Sequence, residues 1–330
     1  MQARFFDAEQ LRCGLCARRC RILPGESGFC RVRQNTGGTL YTKTYGKLTA
    51  CGIDPVEKKP LNHFLPASTT LSISSFGCNF TCLHCQNHEL SQCSAADAAD
   101  ALPMNVVSLA KDNGVQSISY TYNEPSVFYE FMYDVSREAK KAGLKTVMVT
   151  NGYLSEDALS EIAPYMDAVR IDLKAFSDDF YRNVCGGAKL QPVLDTIVRT
   201  TELGMHPELV TLIIPGVNNS EDELSSMLKW ELDTLGPAVP HHFTAFYPMY
   251  KMKDIQPAGL THVDAAFRAA KAAGLYYPYT GNLYHPEGSL THCPECGAVL
   301  IRRQGYRTEA GGLVNGRCSV CGRKIEGVFE

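Results

Sequence analysis

Cys78, Cys82 and Cys85 lie in the run Ser75-Phe76-Gly77-Cys78-Asn79-Phe80-Thr81-Cys82-Leu83-His84-Cys85-Gln86-Asn87. Three thiolates at this spacing wrap one compact loop, and such thiolates hold iron–sulfur clusters. A cubane has four irons, so three cysteines leave one iron open to a small chelating molecule. Structural zinc takes four protein ligands. His84 is the extra donor within the loop, but between Cys82 and Cys85 it points away on a tight turn.

Two further cysteine sets flank this loop at a distance. Cys293-Pro294-Glu295-Cys296 and Cys318-Ser319-Val320-Cys321 are paired knuckles, each followed by a glycine, Gly297 and Gly322. Four thiolates so spaced match a zinc ribbon. Cys13, Cys16, Cys20 and Cys30 form a less regular four-thiolate set, which reads first as zinc, with a second iron–sulfur cluster as the alternative. Arg12, Arg18, Arg19 and Arg21 surround it and favour thiolate charge. Cys51 and Cys93 read as packing residues. Cys185, in Val184-Cys185-Gly186-Gly187, is a candidate catalytic thiol, as hydrogen donor or substrate contact.

The chain has 330 residues, 45% hydrophobic, with a formal net charge of −3. That suits one large core with small attachments. Clustered cations of the kind that grip nucleic acid phosphates are missing, so no nucleic acid partner is expected. The N-terminus lacks the apolar core of a signal peptide, and no apolar run reaches membrane length, so no membrane partner is expected either. Fourteen cysteines, eleven of them in close-spaced sets, without an export signal, read mainly as metal ligands in a cytoplasmic protein rather than as a disulfide framework.

The elements that position the central loop come from residues 67–285. Strand-like runs alternate with amphipathic helical runs: Leu71–Ser74, Ser117–Tyr122, Thr146–Val149, Ala168–Leu173, Leu209–Ile214, His242–Tyr247 and Leu275–Tyr279. Such alternation implies an α/β fold with a parallel sheet or barrel, and the chemistry of these folds lies beyond the carboxyl ends of the strands. Asn123-Glu124, Thr150-Asn151, Asp172, Lys174 and Asn218-Asn219 fall there. The expected organisation is a Cys-rich metal-binding segment (1–66), a core barrel (67–285) and a ribbon-like module (286–330).

A CxxxCxxC loop after the first strand of a βα series resembles the radical S-adenosylmethionine superfamily, in which an aromatic residue, here His84, precedes the last cysteine. The resemblance implies a partial (βα)6-type parallel barrel. It further implies a [4Fe–4S] cluster on Cys78, Cys82 and Cys85 that binds S-adenosylmethionine and cleaves it reductively to a 5′-deoxyadenosyl radical, which abstracts hydrogen from a substrate. Position by position, Glu124-Pro125 matches the end of the family's Gly-Gly-Glu-Pro element, and Thr150-Asn151-Gly152 matches Asp-Thr-Asn-Gly of glycyl-radical activating enzymes without its acid. Asp172-Leu173-Lys174 is similar to those enzymes as well. The implied cofactor-binding residues are therefore His84, Asn123, Glu124, Thr150, Asn151, Asp172 and Lys174. The run Ile53-Asp54-Pro55-Val56-Glu57-Lys58-Lys59-Pro60-Leu61, then Asn62-His63-Phe64-Leu65-Pro66, with Phe243-Thr244-Ala245-Phe246-Tyr247-Pro248, resembles the AmmeMemoRadiSam radical S-adenosylmethionine proteins, relatives of pyruvate formate-lyase activating enzyme. That kinship implies a one-electron donor of flavodoxin or ferredoxin type and a protein substrate or partner. The alternatives are a radical enzyme acting on a small molecule and a non-catalytic metal-binding interaction protein.

Overall fold

The computed structural model describes residues 1–330. Its centre is one eight-stranded sheet. We number its strands β1 (Ala50–Pro55), β2 (Thr69–Ser74), β3 (Ser117–Tyr120), β4 (Lys145–Thr150), β5 (Ala168–Asp172), β6 (His206–Ile213), β7 (His241–Ala245) and β8 (Pro278–Gly281). Strands β2 to β8 lie in sequence order and pair in parallel, while β1 is an antiparallel edge on β2. The edges β8 and β1 do not pair with each other, so the sheet is an open, partial barrel.

Parallel strands need helical crossovers that cover the sheet, so their side chains are buried on both faces. β3 and β7 are buried at every position. The crossovers are α1 (Pro103–Asp112), α2 (Tyr129–Lys141), α3 (Glu156–Ile162), α4 (Asp178–Asn183), α5 (Gln191–Glu202), α6 (Glu221–Leu235) and α7 (Leu260–Ala273). Local sequence starts several of them. Ser155, Ser177 and Ser220 each accept a backbone N–H at the N-terminus of α3, α4 and α6, and acidic residues follow in each first turn, where the helix dipole favours them.

The N-terminal stretch is not set apart in space. β1 belongs to the central sheet, and Cys13, Leu15, Ile22, Cys30, Val32 and Leu40 share the main core with the barrel helices. Sequence reading gives this stretch no sustained periodicity because Gly52, Asp54 and Pro55 interrupt β1; Pro and Gly are tolerated in a strand at an edge. The C-terminal stretch forms a small three-stranded sheet, Thr291–His292, Val299–Gln304 and Arg307–Glu309, and a two-stranded one. It has its own core, in which Leu300, Ile301 and Ile325 meet Tyr277 and Tyr279 beside β8. No helix is long and apolar enough to cross a membrane.

Candidate active site at the carboxyl ends of the strands

The cysteine loop leaves β2 at Ser74 and is held from several sides. Asn123 Oδ1 accepts the Ser75 amide at 3.2 Å, and its Nδ2 donates to the Gly77 carbonyl at 3.0 Å. The amides of Thr81 and Leu83 donate to the carbonyls of Cys185 and Val184 at 3.4 and 2.9 Å. A Cβ on Gly186 would stand 1.9 Å from Thr81 Oγ1, so only glycine lets the 184–187 segment lie this close to the loop.

Glu124, on the short 3-10 turn after β3, is buried, and its carboxylate is occupied by neighbours. Oε1 accepts Ser126 N at 3.1 Å and Thr150 Oγ1 at 2.8 Å, and Oε2 accepts Asn151 N at 2.8 Å. These bonds tie the end of β4 to the end of β3. Asn151 in turn donates to Asn79 Oδ1 at 2.7 Å, with Cys78 Sγ 3.8 Å away. Glu124, Thr150 and Asn151 thus form one hydrogen-bonded chain that ends on the cysteine loop.

Asp172 and Lys174 pair at 2.7 Å, and Arg170 also pairs with Asp172. The cations hold the Asp172 carboxyl below its ordinary value against desolvation, and Asp172 and Cys82 hold Lys174 above its own. Asn218 positions the lysine: its Oδ1 caps Ile214 N at 2.7 Å and its Nδ2 donates to the Lys174 carbonyl at 2.7 Å. The Lys174 amide donates to Tyr181 Oη at 3.1 Å. His84 lies near this pair, and burial, then Lys174, push its pKa down to about 3, so the ring is neutral. Cys185 is wholly buried and lies against Cys82.

All the sequence-derived candidates around the central loop therefore meet at one end of the sheet: Cys78, Cys82, Cys85, His84, Cys185, Asn123, Glu124, Thr150, Asn151, Asp172 and Lys174. Asn123 and Asn151 bond to the loop directly, and Glu124 reaches it through Asn151. Sequence reading passed over Asn79, Ser126, Tyr181 and the close approach at Gly186. Only the glycine left a signal, in the Gly186-Gly187 pair.

The residues fit a cubane. Four cysteines elsewhere, Cys293, Cys296, Cys318 and Cys321, are the one group of three or more Cys, His or acidic residues whose ligand atoms converge within 4.8 Å. Cys78, Cys82 and Cys85 stay farther apart, as thiolates on separate corner irons must. Cys78 Sγ receives Phe80 N at 3.3 Å, and Cys85 Sγ lies 3.2 Å from Ser91 Oγ; hydrogen bonds to sulfur tune a cluster's potential. Ser75 Oγ and the Nδ1 atoms of His84 and His88 are buried without a protein partner, which leaves polar capacity for a bound molecule.

The C-terminal four stand at the other end. Their module rests on the amino ends of the strands, where Arg303 donates to the Asn62 carbonyl at 2.8 Å and Tyr277 Oη to Glu326 at 2.6 Å. Cys293 and Cys321 are 3.5 Å apart and Cys296 and Cys318 3.7 Å. A tetrahedron with Zn–S near 2.3 Å sets sulfurs about 3.8 Å apart, so this group can hold one metal ion. Cys13, Cys16, Cys20 and Cys30 line a pocket whose wall includes Asn79 and Ser126.

Comparison with known proteins agrees with the site. The family model of the Radical SAM superfamily matches residues 72–230. The chain is 41% identical over 324 residues, 97% of its length and 96% of the relative's, to an uncharacterized protein of Methanocaldococcus jannaschii. A second protein of that organism, named as a glycyl-radical enzyme activating enzyme, is 24% identical over 172 residues, 50% of this chain and 65% of that one. The crystal structure of a radical SAM methyltransferase from Sphaerobacter thermophilus shares the fold across 66% of this chain and 67% of that one, with TM-score 0.51 and 14% identity. With the cysteine loop, the parallel sheet and the profile in agreement, the chain belongs to the radical SAM superfamily and is an enzyme.

Proposed function

We propose that Cys78, Cys82 and Cys85 hold a [4Fe–4S] cluster whose remaining iron binds S-adenosylmethionine. When bound and reduced, this pair supplies a 5′-deoxyadenosyl radical that takes a hydrogen atom from the substrate. The observation that carries the reading is the single loop at the carboxyl end of a parallel sheet, with its three thiols too widely spaced for one ion.

The chain's own residues do the positioning. Asn123 fixes the entering arm of the loop through Ser75 and Gly77, and the Glu124–Thr150–Asn151 chain fixes the strand ends around it. Lys174 stays cationic and Asp172 anionic beside Cys82, so the pair offers a charged donor and a charged acceptor to the polar groups of cofactor and substrate. Neutral His84 offers an unpartnered ring nitrogen. Phe76, Phe80 and Phe180 are buried around the loop and limit water near the reacting atoms.

The likeness to a glycyl-radical activating enzyme and the sequence features shared with the AmmeMemoRadiSam proteins support a polypeptide as substrate. They also support a flavodoxin- or ferredoxin-type protein as one-electron donor. The spacing of Cys293, Cys296, Cys318 and Cys321 supports zinc at the C-terminal end,. Fourteen free cysteines support a reducing, cytoplasmic setting.

The test is anaerobic reconstitution, reduction with dithionite and incubation with S-adenosylmethionine. The wild type releases 5′-deoxyadenosine, and Cys82→Ala releases none while keeping its circular dichroism spectrum. Cleavage by Cys82→Ala at the parental rate removes the ligand assignment. Deuterium transfer into 5′-deoxyadenosine from a labelled partner polypeptide identifies the substrate; transfer only from small molecules rejects the polypeptide reading.

A further inference from the structure

Cys13, Cys16, Cys20 and Cys30 line one pocket of about 20 Å³, together with Leu15, Arg18, Phe29 and Arg33. A four-thiolate zinc site draws its sulfurs to within about 4 Å of one another. The C-terminal four meet that condition and the N-terminal four do not. In this respect the N-terminal set resembles Cys78, Cys82 and Cys85, whose spread suits the separate corners of a cubane. We propose that Cys13, Cys16, Cys20 and Cys30 hold a second [4Fe–4S] cluster, set against the wall of the catalytic loop.

The surroundings suit a four-thiolate cluster, which carries negative charge. Arg33 is buried and lines the pocket; it pairs with Glu130 at 2.9 Å, and its Nε has no protein partner. Arg18 also lines the pocket and makes no carboxylate pair: it donates to the carbonyls of Asn79 at 2.9 Å and Gly187 at 3.0 Å and lies over the Phe29 ring. An unneutralised cation beside the pocket offsets the charge of a buried cluster. The Phe29 amide reaches Cys20 Sγ at 3.5 Å.

The wall between the two sites is thin. Asn79, the residue after Cys78, and Ser126 line the pocket, and Asn79 Nδ2 donates to Ser126 Oγ at 3.4 Å. Gly77, the residue before Cys78, has φ +81°, and a Cβ there would lie 2.8 Å from the Cys30 carbonyl oxygen. Gly77 thus leaves no room for a side chain between the catalytic loop and the Cys30 carbonyl. All four irons of this cluster are ligated by protein, so it binds no S-adenosylmethionine. Its role is to pass one electron: reduced by the one-electron donor, it returns to its oxidised level as the catalytic cluster gains the electron. This transfer step rests on the catalytic reading above; the presence of the second cluster does not.

The experiment counts iron, sulfide and zinc and records electron paramagnetic resonance spectra of dithionite-reduced protein. Three full-length samples are compared after anaerobic reconstitution: the wild type, a Cys78→Ala/Cys82→Ala/Cys85→Ala variant and a Cys16→Ser/Cys20→Ser variant. The expected wild type carries about eight irons, and each variant about four. The triple variant keeps a reduced-cluster signal that S-adenosylmethionine does not change, whereas the signal of Cys16→Ser/Cys20→Ser shifts on its addition. Fully reduced wild type shows spin–spin splitting that both variants lack. An iron-free triple variant, with a second zinc per chain in the wild type, overturns the second cluster. Two clusters without splitting overturn their adjacency. If Cys16→Ser/Cys20→Ser does not fold, the triple variant alone decides. A signal in Cys16→Ser/Cys20→Ser that ignores S-adenosylmethionine counts against the catalytic reading and leaves the second cluster standing.

Discussion

The chain carries two four-cysteine sets, and they occupy opposite ends of one sheet. The N-terminal set lies where the strands finish: Cys16 bridges to Leu154 just beyond β4, and Arg18 reaches Asn79 in the catalytic loop. The C-terminal set belongs to a module seated where the strands begin, against Asn62, His63, Phe64 and Tyr277. One set surrounds a pocket and the other closes on itself. Four thiolates alone do not state their purpose; in a parallel α/β fold the carboxyl end hosts the chemistry and the amino end hosts stability. The same residue type therefore points toward electron chemistry at one end and toward scaffolding at the other.

The largest test of this contrast is removal of the C-terminal metal. Cys293→Ser should release one zinc per chain and the module's folding energy, on the order of 10 kcal/mol for a structural site. Hydrogen exchange should then show lost protection across Val299–Gln304, with the iron content unchanged. Iron lost in step with zinc would show that the two ends are not independent.

Acid should attack the same end next. His63 bonds to Tyr279 Oη at 2.7 Å and to the Glu326 carbonyl at 2.6 Å, and burial lowers its pKa from 6.5 to about 3. The unfolded chain then binds the proton that the folded one refuses. This contribution is full above the unfolded value and falls as pH drops from about 6.5 toward about 3, with a slope of about 1.4 kcal/mol per pH unit. Denaturant midpoints across this window measure it, and His63→Gln should flatten the slope; an unchanged slope in that variant refutes the assignment.

At the catalytic end, Gly77→Ala should cost about 2 kcal/mol or more, because an added Cβ meets both a left-handed φ and the Cys30 carbonyl,. It should lower iron occupancy as well. Gly204, with φ +77° and nothing near its Cβ position, is the control: Gly204→Ala should cost about 1 kcal/mol and leave iron intact. Equal iron loss in both variants would deny the contact between the two cysteine sets. The smallest effect is expected from Arg303→Lys, which loses the fork joining Thr291 Oγ1 at 2.9 Å to the Asn62 carbonyl. Thermal denaturation should register about 1 kcal/mol, with 5′-deoxyadenosine formation unaltered.

Much of this architecture is legible in the chain. Seven strand-like runs anticipate the seven parallel strands, because strands buried on both faces are rich in apolar residues. The CxxxCxxC spacing marks the central loop, since a short loop brings its own cysteines together whatever surrounds it. β1 is hidden, because an edge strand tolerates Gly52 and Pro55 and so loses its periodic signal,. Asn79, Ser126 and Tyr181 are hidden as well: each acts through partners 47 or more positions away or in a neighbouring element, and such pairings leave no local pattern.

Sequence by itself determined which side chains can ligate metal and which segments become the parallel strands, because both follow from residue type and short-range spacing. Tertiary structure alone decided which cysteine set shares a wall with the catalytic loop, that Glu124 spends its carboxylate on Ser126, Thr150 and Asn151, and that Cys185 meets Cys82. Those relations arise when crossover connections bring strand ends together, so contact there depends on strand order in the sheet and not on distance along the chain.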